Sequence, residues 1–208
     1  LTQTKSYERL TERMRPSTYS IVGHTRFATV GTPDDNSNNH PLVDGHIIGI
    51  HNGGVSNHKS LGKQYGSKAE VDSAAMFAAV RSHTEDSPLT ATNLAKTMLE
   101  IKGAWAIACV DLRRPSVLVM GRNHNPVVMA RAHGALWFAS TESILREAIG
   151  KHPTFSPPAY TTWELTRENV TEELEYVPIE SKVIQLPSIL EEADEIDWEQ
   201  LLEVQSWN

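Results

Sequence analysis

The sequence predicts an α+β fold in which β-sheets form the inner layers and helices cover them. Two observations predict it. Short β-branched and apolar segments bounded by turn residues occur in both halves of the chain, whereas helical periodicity dominates the middle. The 208 residues, 39% of them apolar, are enough to bury a substantial core without disulfides. Strands, then helices, then more strands and a helix is an order typical of layered sheets with helices outside.

The first half of the chain is predicted to hold two strands and three helices. Residues 21–29 and 46–51 are rich in β-branched residues and predict strands, the second of them stopped by Asn52-Gly53-Gly54. Capping residues and apolar residues at helical spacing predict helices over residues 57–65, 71–83 and 90–101.

The second half is predicted to be mainly strand. Four apolar segments separated by turn residues predict strands over residues 104–110, 116–121, 126–130 and 135–139. Ser140 and Thr141 then open a helix through residue 149, and residues 159–165 and 170–177 are expected to form a hairpin. No change of composition divides the body. We therefore predict one domain over residues 1–186 and an acidic amphipathic tail over residues 187–208.

Charge and cysteine content exclude several classes of function. Lys and Arg number 19 and Asp and Glu 26, and seven of those acids lie in the tail, which has no Lys or Arg. The body is therefore neutral and offers no basic stripe to nucleic acid. A single cysteine excludes a disulfide framework, and no apolar run approaches the roughly 20 residues that span a bilayer. The polar N-terminus does not resemble a secretory signal, so we expect a cytoplasmic protein.

Three polar segments at predicted strand or helix ends carry the candidate chemistry. Arg26 lies in an otherwise uncharged strand and needs a carboxylate partner, which its guanidinium binds with two parallel hydrogen bonds. Asn52 and Gly53 follow a strand and can point a side-chain amide and a backbone N–H at one oxyanion. Asp72, near a helix N-terminus, can hold an ammonium group. Together these residues can clamp a zwitterionic amino acid and polarise its side-chain carbonyl.

Each of these residues also has an ordinary structural interpretation. Arg26 alone is most simply an ion-pair residue, Asn52-Gly53 a turn, and Asp72 a helix cap. Their joint occurrence in this order favours a binding site. The nine histidines do not change this, because the spacing of His40, His46, His51 and His58 fits no standard metal motif. We therefore expect no metal and no cofactor.

Several short motifs, taken in order, resemble one known family. The motifs are Gly23-His24-Thr25-Arg26-Phe27-Ala28-Thr29, Asn38-Asn39-His40-Pro41, His51-Asn52-Gly53, Asp72, Gly103-Ala104-Trp105-Ala106 and Phe138-Ala139-Ser140-Thr141-Glu142-Ser143. They resemble the glutaminase domain of class II glutamine amidotransferases, which are N-terminal-nucleophile hydrolases. Within that family the resemblance is to the glucosamine-6-phosphate synthase and amidophosphoribosyltransferase type.

The resemblance implies a four-layer αββα sandwich that hydrolyses the side-chain amide of glutamine to release ammonia. It assigns Arg26 to the α-carboxylate of glutamine, Asp72 to its α-amino group, and Asn52 with Gly53 to the oxyanion. Thr29 would line the pocket. The implied partners are glutamine and an ammonia-accepting synthase subunit or a neighbour in an assembly, with an oligomer also open.

One departure from the family pattern concerns the nucleophile. The family uses an N-terminal cysteine whose own α-amine is the base, but none of the 23 residues before His24 is a cysteine. Cys109 lies in an apolar strand and is expected to be a buried small hydrophobic residue. We therefore expect the family's N-terminal strands to be missing and this chain to hydrolyse no glutamine alone.

Two functions stay open from the sequence. The chain is either a glutaminase domain whose nucleophile belongs to the intact protein, or a non-catalytic relative that serves as a structural or interaction module in an assembly. The set Arg26, Asn52, Gly53 and Asp72 favours the first, because a structural module does not need a zwitterion clamp. The missing cysteine favours the second. The tail has likewise two interpretations, as a helix packed on its own domain or as a docking peptide for a partner subunit.

Overall fold

The computed structural model describes residues 18–25, 35–67 and 70–180. A 3-10 turn at Asn36–Asn38 precedes the first strand. The strands are β1 (Leu42–Asp44), β2 (Ile47–Val55), β3 (Gly103–Asp111), β4 (Leu118–Arg122), β5 (Val128–Ala132), β6 (Ala135–Ala139), β7 (Thr154–Phe155), β8 (Thr161–Leu165) and β9 (Val177–Pro178). The helices are α1 (His58–Tyr65), α2 (Asp72–Ser82), α3 (Ala91–Met98) and α4 (Glu142–Ile149).

The described strands form two antiparallel sheets. The larger has the order β1-β2-β3-β4-β8-β9, and the smaller has the order β6-β5-β7. The longest pairing joins β2 to β3 over nine residues of each strand, from Ile47 opposite Asp111 to Val55 opposite Gly103. This pairing determines which residues of β2 lie over the core and which extend to the end of the sheet.

Three groups of buried apolar residues separate four layers. One lies between the helices and the larger sheet and includes Phe77, Trp105 and Ile107. The second lies between the two sheets and includes Met129 and Trp163. The third lies between the smaller sheet and α4. The αββα sandwich expected from the family resemblance is therefore confirmed in the part of the chain that the structure describes.

Helix α2 is the most deeply buried helix, with residues 73–80 all buried. Four alanines among them let the helix backbone approach β2 closely. The Phe77 ring fills the space above Gly49, where any Cβ would overlap it. The close contact between α2 and β2 places the N-terminus of α2 beside the last residues of β2.

Asp111 fastens the core end of β3 to the loop between α2 and α3. Its buried carboxylate accepts hydrogen bonds from the Leu89 amide at 2.8 Å and from the Arg113 guanidinium at 2.8 and 3.0 Å. Arg113 in turn donates to the backbone carbonyls of the same loop, among them that of Thr84. Burial raises the pKa of Asp111, but the hydrogen bonds from Arg113 and Leu89 outweigh it and lower that pKa to about 2.

Three predicted elements differ from the structure. Residues 21–25 of the first predicted strand have no regular secondary structure, and its remaining residues lie outside the described part. The sheet neighbours of β2 are instead β1 and β3. The strand predicted to stop at Asn52 continues to Val55, because β3 offers a partner for every residue. In the predicted hairpin, only Val177 and Pro178 pair with β8.

The tail over residues 187–208 lies outside the described residues, so its predicted helix stays a prediction. None of the four described helices has the length and apolar character that crossing a membrane requires.

Candidate active site

The candidate oxyanion residues lie at the open end of β2. Asn52 and Gly53 pair with Ala106 and Trp105 of β3, and both are exposed. Their neighbours His51 and Val55 are buried. The strand therefore holds its polar end rigidly while leaving it accessible to a small molecule.

Gly53 has a backbone conformation that requires glycine. Its φ angle is 137°, and a Cβ there would collide with the Ala104 carbonyl oxygen. The Asn125 side-chain amide donates a 2.6 Å hydrogen bond to the Asn52 carbonyl oxygen. That carbonyl and the Gly53 N–H belong to one peptide unit, so Asn125 fixes the plane of the proposed oxyanion donor.

The loop that carries Asn125 is itself held by Asn123. The Asn123 side chain accepts from the Trp105 amide at 2.7 Å and donates to the Gly103 carbonyl at 2.8 Å. Asn123 is buried, and its bond to the Trp105 amide is shielded from water. The loop therefore keeps a constant position against the end of β3, directly beside the paired Asn52 and Gly53.

Asp72 lies at the start of α2 and contacts the end of β2. One carboxylate oxygen accepts from the Val55 amide at 2.7 Å, and the other accepts from the Ser73 amide at 2.9 Å. The helix cap residue is Val71 rather than Asp72. The structure therefore brings Asp72 to the same strand end as Asn52 and Gly53, as a clamp requires. Both oxygens retain lone pairs for a further donor.

A cavity of about 410 Å³ opens between the sheets next to Asn52. Its wall includes Ile50, Met120 and Phe138, and the segment 23–25 lines one side. Gly53 and Asp72 do not line this cavity, because they lie beyond it at the strand end. Arg26 and Thr29, the other two predicted binding residues, lie outside the described residues, although the segment that leads to Arg26 reaches the cavity.

Three histidine rings lie close together beside β2. The ring centroids of His24 and His40 are 4.4 Å apart, and those of His40 and His51 are 6.4 Å apart. Burial lowers the pKa of His51 to about 4; the nearby Asp72 opposes this shift and His24 adds to it. His51 is therefore neutral at pH 7. Among the described residues, no three His, Cys, Asp or Glu side chains are arranged to hold a metal ion.

Comparison with known proteins gives a family for this arrangement. The family described as "Glutamine amidotransferase domain" matches residues 24–147. The chain belongs to this family. Its relatives include the glutamine–fructose-6-phosphate aminotransferase (isomerizing) of Pectobacterium atrosepticum, 32% identical over 130 residues, and that of Vibrio parahaemolyticus, 30% identical over 157 residues. The matches cover 60% and 72% of this chain but only 21% and 25% of those proteins.

Solved structures show the same fold at low sequence identity. The glutamine phosphoribosylpyrophosphate amidotransferase from B. subtilis aligns with a TM-score of 0.57 and 16% identity, over 76% of this chain and 34% of that one. A structure titled as the allosteric regulatory enzyme of purine biosynthesis aligns with a TM-score of 0.53 and 16% identity, over 69% of this chain and 32% of that one. The domain is therefore a class II glutamine amidotransferase domain of the type expected from its motifs.

The single cysteine of this amidotransferase domain is buried, so it cannot reach a substrate as a nucleophile. Cys109 lies in β3 with no exposed surface, and burial raises the pKa of its thiol. A thiol in this setting has almost no thiolate at neutral pH. The expectation that Cys109 is a buried small hydrophobic residue is confirmed.

Two contacts at the site are missing from the sequence analysis. One is the hydrogen bond from Asn125 to the Asn52 carbonyl, and the other is a contact between His51 and Ser73 at 2.8 Å. Asn125 is 73 positions from Asn52, so no local pattern connects them. The role of Ser73 could have been predicted in part, because a hydroxyl directly after Asp72 in the sequence can reach the Asp72 carboxylate.

Proposed function

We propose that the domain binds L-glutamine at the open end of β2 and, in the intact protein, hydrolyses its side-chain amide to release ammonia. The observation that carries this proposal is the 2.7 Å hydrogen bond between the Val55 amide and the Asp72 carboxylate. It holds an anionic group beside the strand end on which Asn52 and Gly53 are exposed. Membership of the glutamine amidotransferase family supports glutamine as the ligand.

In this proposal, three residues bind the amino-acid end of glutamine. Asp72 accepts hydrogen bonds from the α-ammonium group, and Arg26 binds the α-carboxylate with its two parallel N–H donors. Thr29 lines the pocket. Residues 23–25, which directly precede Arg26, line the cavity next to Asn52, and this supports a ligand site near that end of β2.

Asn52 and Gly53 act on the other end of the substrate. A thiolate attacks the amide carbon, a C–S bond forms, and the carbonyl oxygen becomes an oxyanion that accepts from the Asn52 side chain and the Gly53 N–H. Collapse of this intermediate breaks the C–N bond, and the departing nitrogen takes the proton that the thiol gave to its base and leaves as ammonia. Water then hydrolyses the thioester to glutamate. Cys109 is buried, so this proposal requires a thiol that the intact protein supplies from outside the described residues.

Binding is the direct test of the proposal. Calorimetry with L-glutamine is expected to show saturable binding to this chain. Asp72→Asn and Arg26→Ala should each weaken it at least about tenfold, since each removes a charge-assisted contact. The exposed residues Asp86 and Arg167 provide matched controls, and Asp86→Asn and Arg167→Ala should leave binding unchanged. Unchanged binding in Asp72→Asn would refute the assignment.

An assay of ammonia release should distinguish this chain from the intact protein. We expect this chain alone to release none from glutamine, because a buried thiol with a raised pKa supplies no nucleophile. Ammonia release by the chain that Cys109→Ala abolishes would contradict this expectation.

A second candidate function is a non-catalytic structural or interaction module in an assembly. The burial of the single cysteine favours it. Asp72-dependent ammonia release by the intact protein excludes this candidate, whereas glutamine binding without release by the intact protein supports it. If ammonia is released, we propose that a synthase domain or subunit accepts it, because this chain spans only 21% to 25% of its aminotransferase relatives.

A further inference from the structure

A buried hydrogen bond joins the two halves of the proposed site from below. His51 directly precedes Asn52 on β2, and Ser73 directly follows Asp72 on α2. The His51 Nδ1 atom lies 2.8 Å from the Ser73 hydroxyl oxygen. Each residue is only 3% exposed, so water does not compete for this bond.

The donors and acceptors of His51, Ser73 and Asp72 favour one direction for the hydrogen bonds among them. The Ser73 hydroxyl has one proton and also faces the Asp72 carboxylate, at a longer distance of 3.4 Å. A carboxylate is the stronger acceptor, which favours the hydroxyl proton toward Asp72 and leaves the hydroxyl oxygen to accept from His51 Nδ1–H. His51 is neutral, so its Nε2 then has a lone pair and no proton. Nε2 is the ring atom with no hydrogen-bond partner within the described part of the chain. An unprotonated Nε2 fits this position better, because unpaired buried N–H groups are rarer in folded proteins than under-satisfied acceptors.

We propose that His51 and Ser73 are positioning residues that orient the Asp72 carboxylate toward the α-ammonium group of the ligand. This inference rests on the proposed function, in which Asp72 binds that group. The backbone amides of Val55 and Ser73 hold the carboxylate in place whether or not the hydroxyl is present. The chain from His51 to Ser73 to Asp72 adds a third donor that restricts rotation of the carboxylate. It also ties α2 to β2 one residue away from each binding group.

A pair of ligands separates positioning from general support of the fold. L-glutamine has an α-ammonium group, whereas glutaramate is the same molecule without its α-amino group. Ser73→Ala should raise the dissociation constant for L-glutamine about three- to tenfold, because it removes a 3.4 Å contact to a carboxylate that the two backbone amides still hold. The dissociation constant for glutaramate should change less than about twofold. Ser73→Thr retains the hydroxyl and should restore the preference for L-glutamine. Ser60→Ala, on the exposed face of α1, is the matched control.

Substitutions of His51 give a second, independent pair. His51→Asn retains an N–H donor near the position of Nδ1 and should preserve the preference for L-glutamine, whereas His51→Ala should lose it. Asp72→Asn is the reference for complete loss of that preference. Equal weakening of both ligands in Ser73→Ala and in His51→Ala would show a merely structural role and overturn the proposal. Unchanged binding of both ligands would overturn it as well.

The tautomer of His51 tests the geometry without any ligand. The ¹⁵N chemical shifts of the imidazole ring should show a protonated Nδ1 and an unprotonated Nε2 at pH 7. A protonated Nε2 would overturn the proposal even where binding is normal.

If the unaltered chain binds neither ligand, the proposed function fails. If it binds both equally, only the role of Asp72 fails. Loss of the His51–Ser73–Asp72 contacts gives a different result, because it lowers the preference for L-glutamine over glutaramate in the variants alone.

Discussion

The two halves of β2 pair with the same strand but have different surroundings. Of residues 47–51, all but one are buried against helices or the second sheet, whereas residues 52–54 are exposed. The same ladder of backbone hydrogen bonds continues through both halves. The buried half therefore anchors the strand in the core, and the exposed half carries the candidate binding groups Asn52 and Gly53. Substitutions in the two halves should therefore separate loss of stability from loss of binding.

The largest effect is expected in the core half. Ile47 is fully buried, and Ile47→Ala should lower the free energy of unfolding by about 4 kcal/mol, because it removes apolar contacts and leaves a cavity. Val43 on the adjacent β1 is 67% exposed, and Val43→Ala should change that free energy by less than about 0.5 kcal/mol. Urea denaturation measures both. Similar losses for the two variants would remove the distinction between core and exposed residues.

A glycine pair tests the exposed half. Gly53→Ala should lower the free energy of unfolding by about 3 kcal/mol and weaken glutamine binding, since its φ is positive and its Cβ would meet the Ala104 carbonyl. The neighbouring Gly54 has more room, because a Cβ added there would meet no atom nearer than Asp72 Oδ2 at 3.9 Å. Gly54→Ala should therefore be tolerated. Denaturation and calorimetry on both variants would contradict this account if Gly54→Ala were the more damaging.

Acidic pH should lower the stability of the core half of β2, whereas pH values near neutral should not. Asp111 faces Ile47 across the ladder, and its pKa falls from an ordinary 3.8 to about 2 on folding. A lowered carboxyl pKa stabilises the folded state above the ordinary value, and this contribution disappears as the pH falls from about 5 to about 2.

Asp111→Asn should consequently cost about 2 kcal/mol at pH 7 and almost nothing near pH 2. Asp86→Asn, at an exposed position, is the control and should change the free energy of unfolding by less than about 0.5 kcal/mol at pH 7. Denaturant titrations at several pH values measure the difference, and a cost that stays constant down to pH 2 would contradict the role of the charge.

The smallest effect concerns the acidic tail. Deleting residues 187–208 should lower the melting temperature by a few degrees, because its tryptophans and aliphatic residues favour burial against the domain. Glutamine affinity should stay unchanged if the tail packs away from the exposed half of β2. A constant melting temperature with loss of self-association or partner capture would instead identify an interaction element.

Local patterns were sufficient where an element depends mainly on its own residues. The periodicity of residues 71–83 predicts α2 within one residue at each end, and Thr141 caps α4 as expected, with its side chain accepting from the Ile144 amide. The strand over residues 135–139 is β6 without any change of boundary. The burial of Cys109 also followed from its apolar neighbours. Asn52, Gly53 and Asp72 became a candidate set because polar residues at predicted strand and helix ends occur together, and their order also resembles the family's motifs.

The helices, most of the strands and the candidate residues were predictable from local patterns, because periodicity, caps and motif order act over short distances along the chain. Tertiary pairing was needed to show that Asn52 and Gly53 continue a strand instead of ending one, since the pairing partner β3 lies about 50 positions away. The same holds for the contacts of Asn125 with Asn52 and of His51 with Ser73. A hydrogen bond between side chains from different elements depends on how those elements pack, and no local preference of either residue encodes that packing.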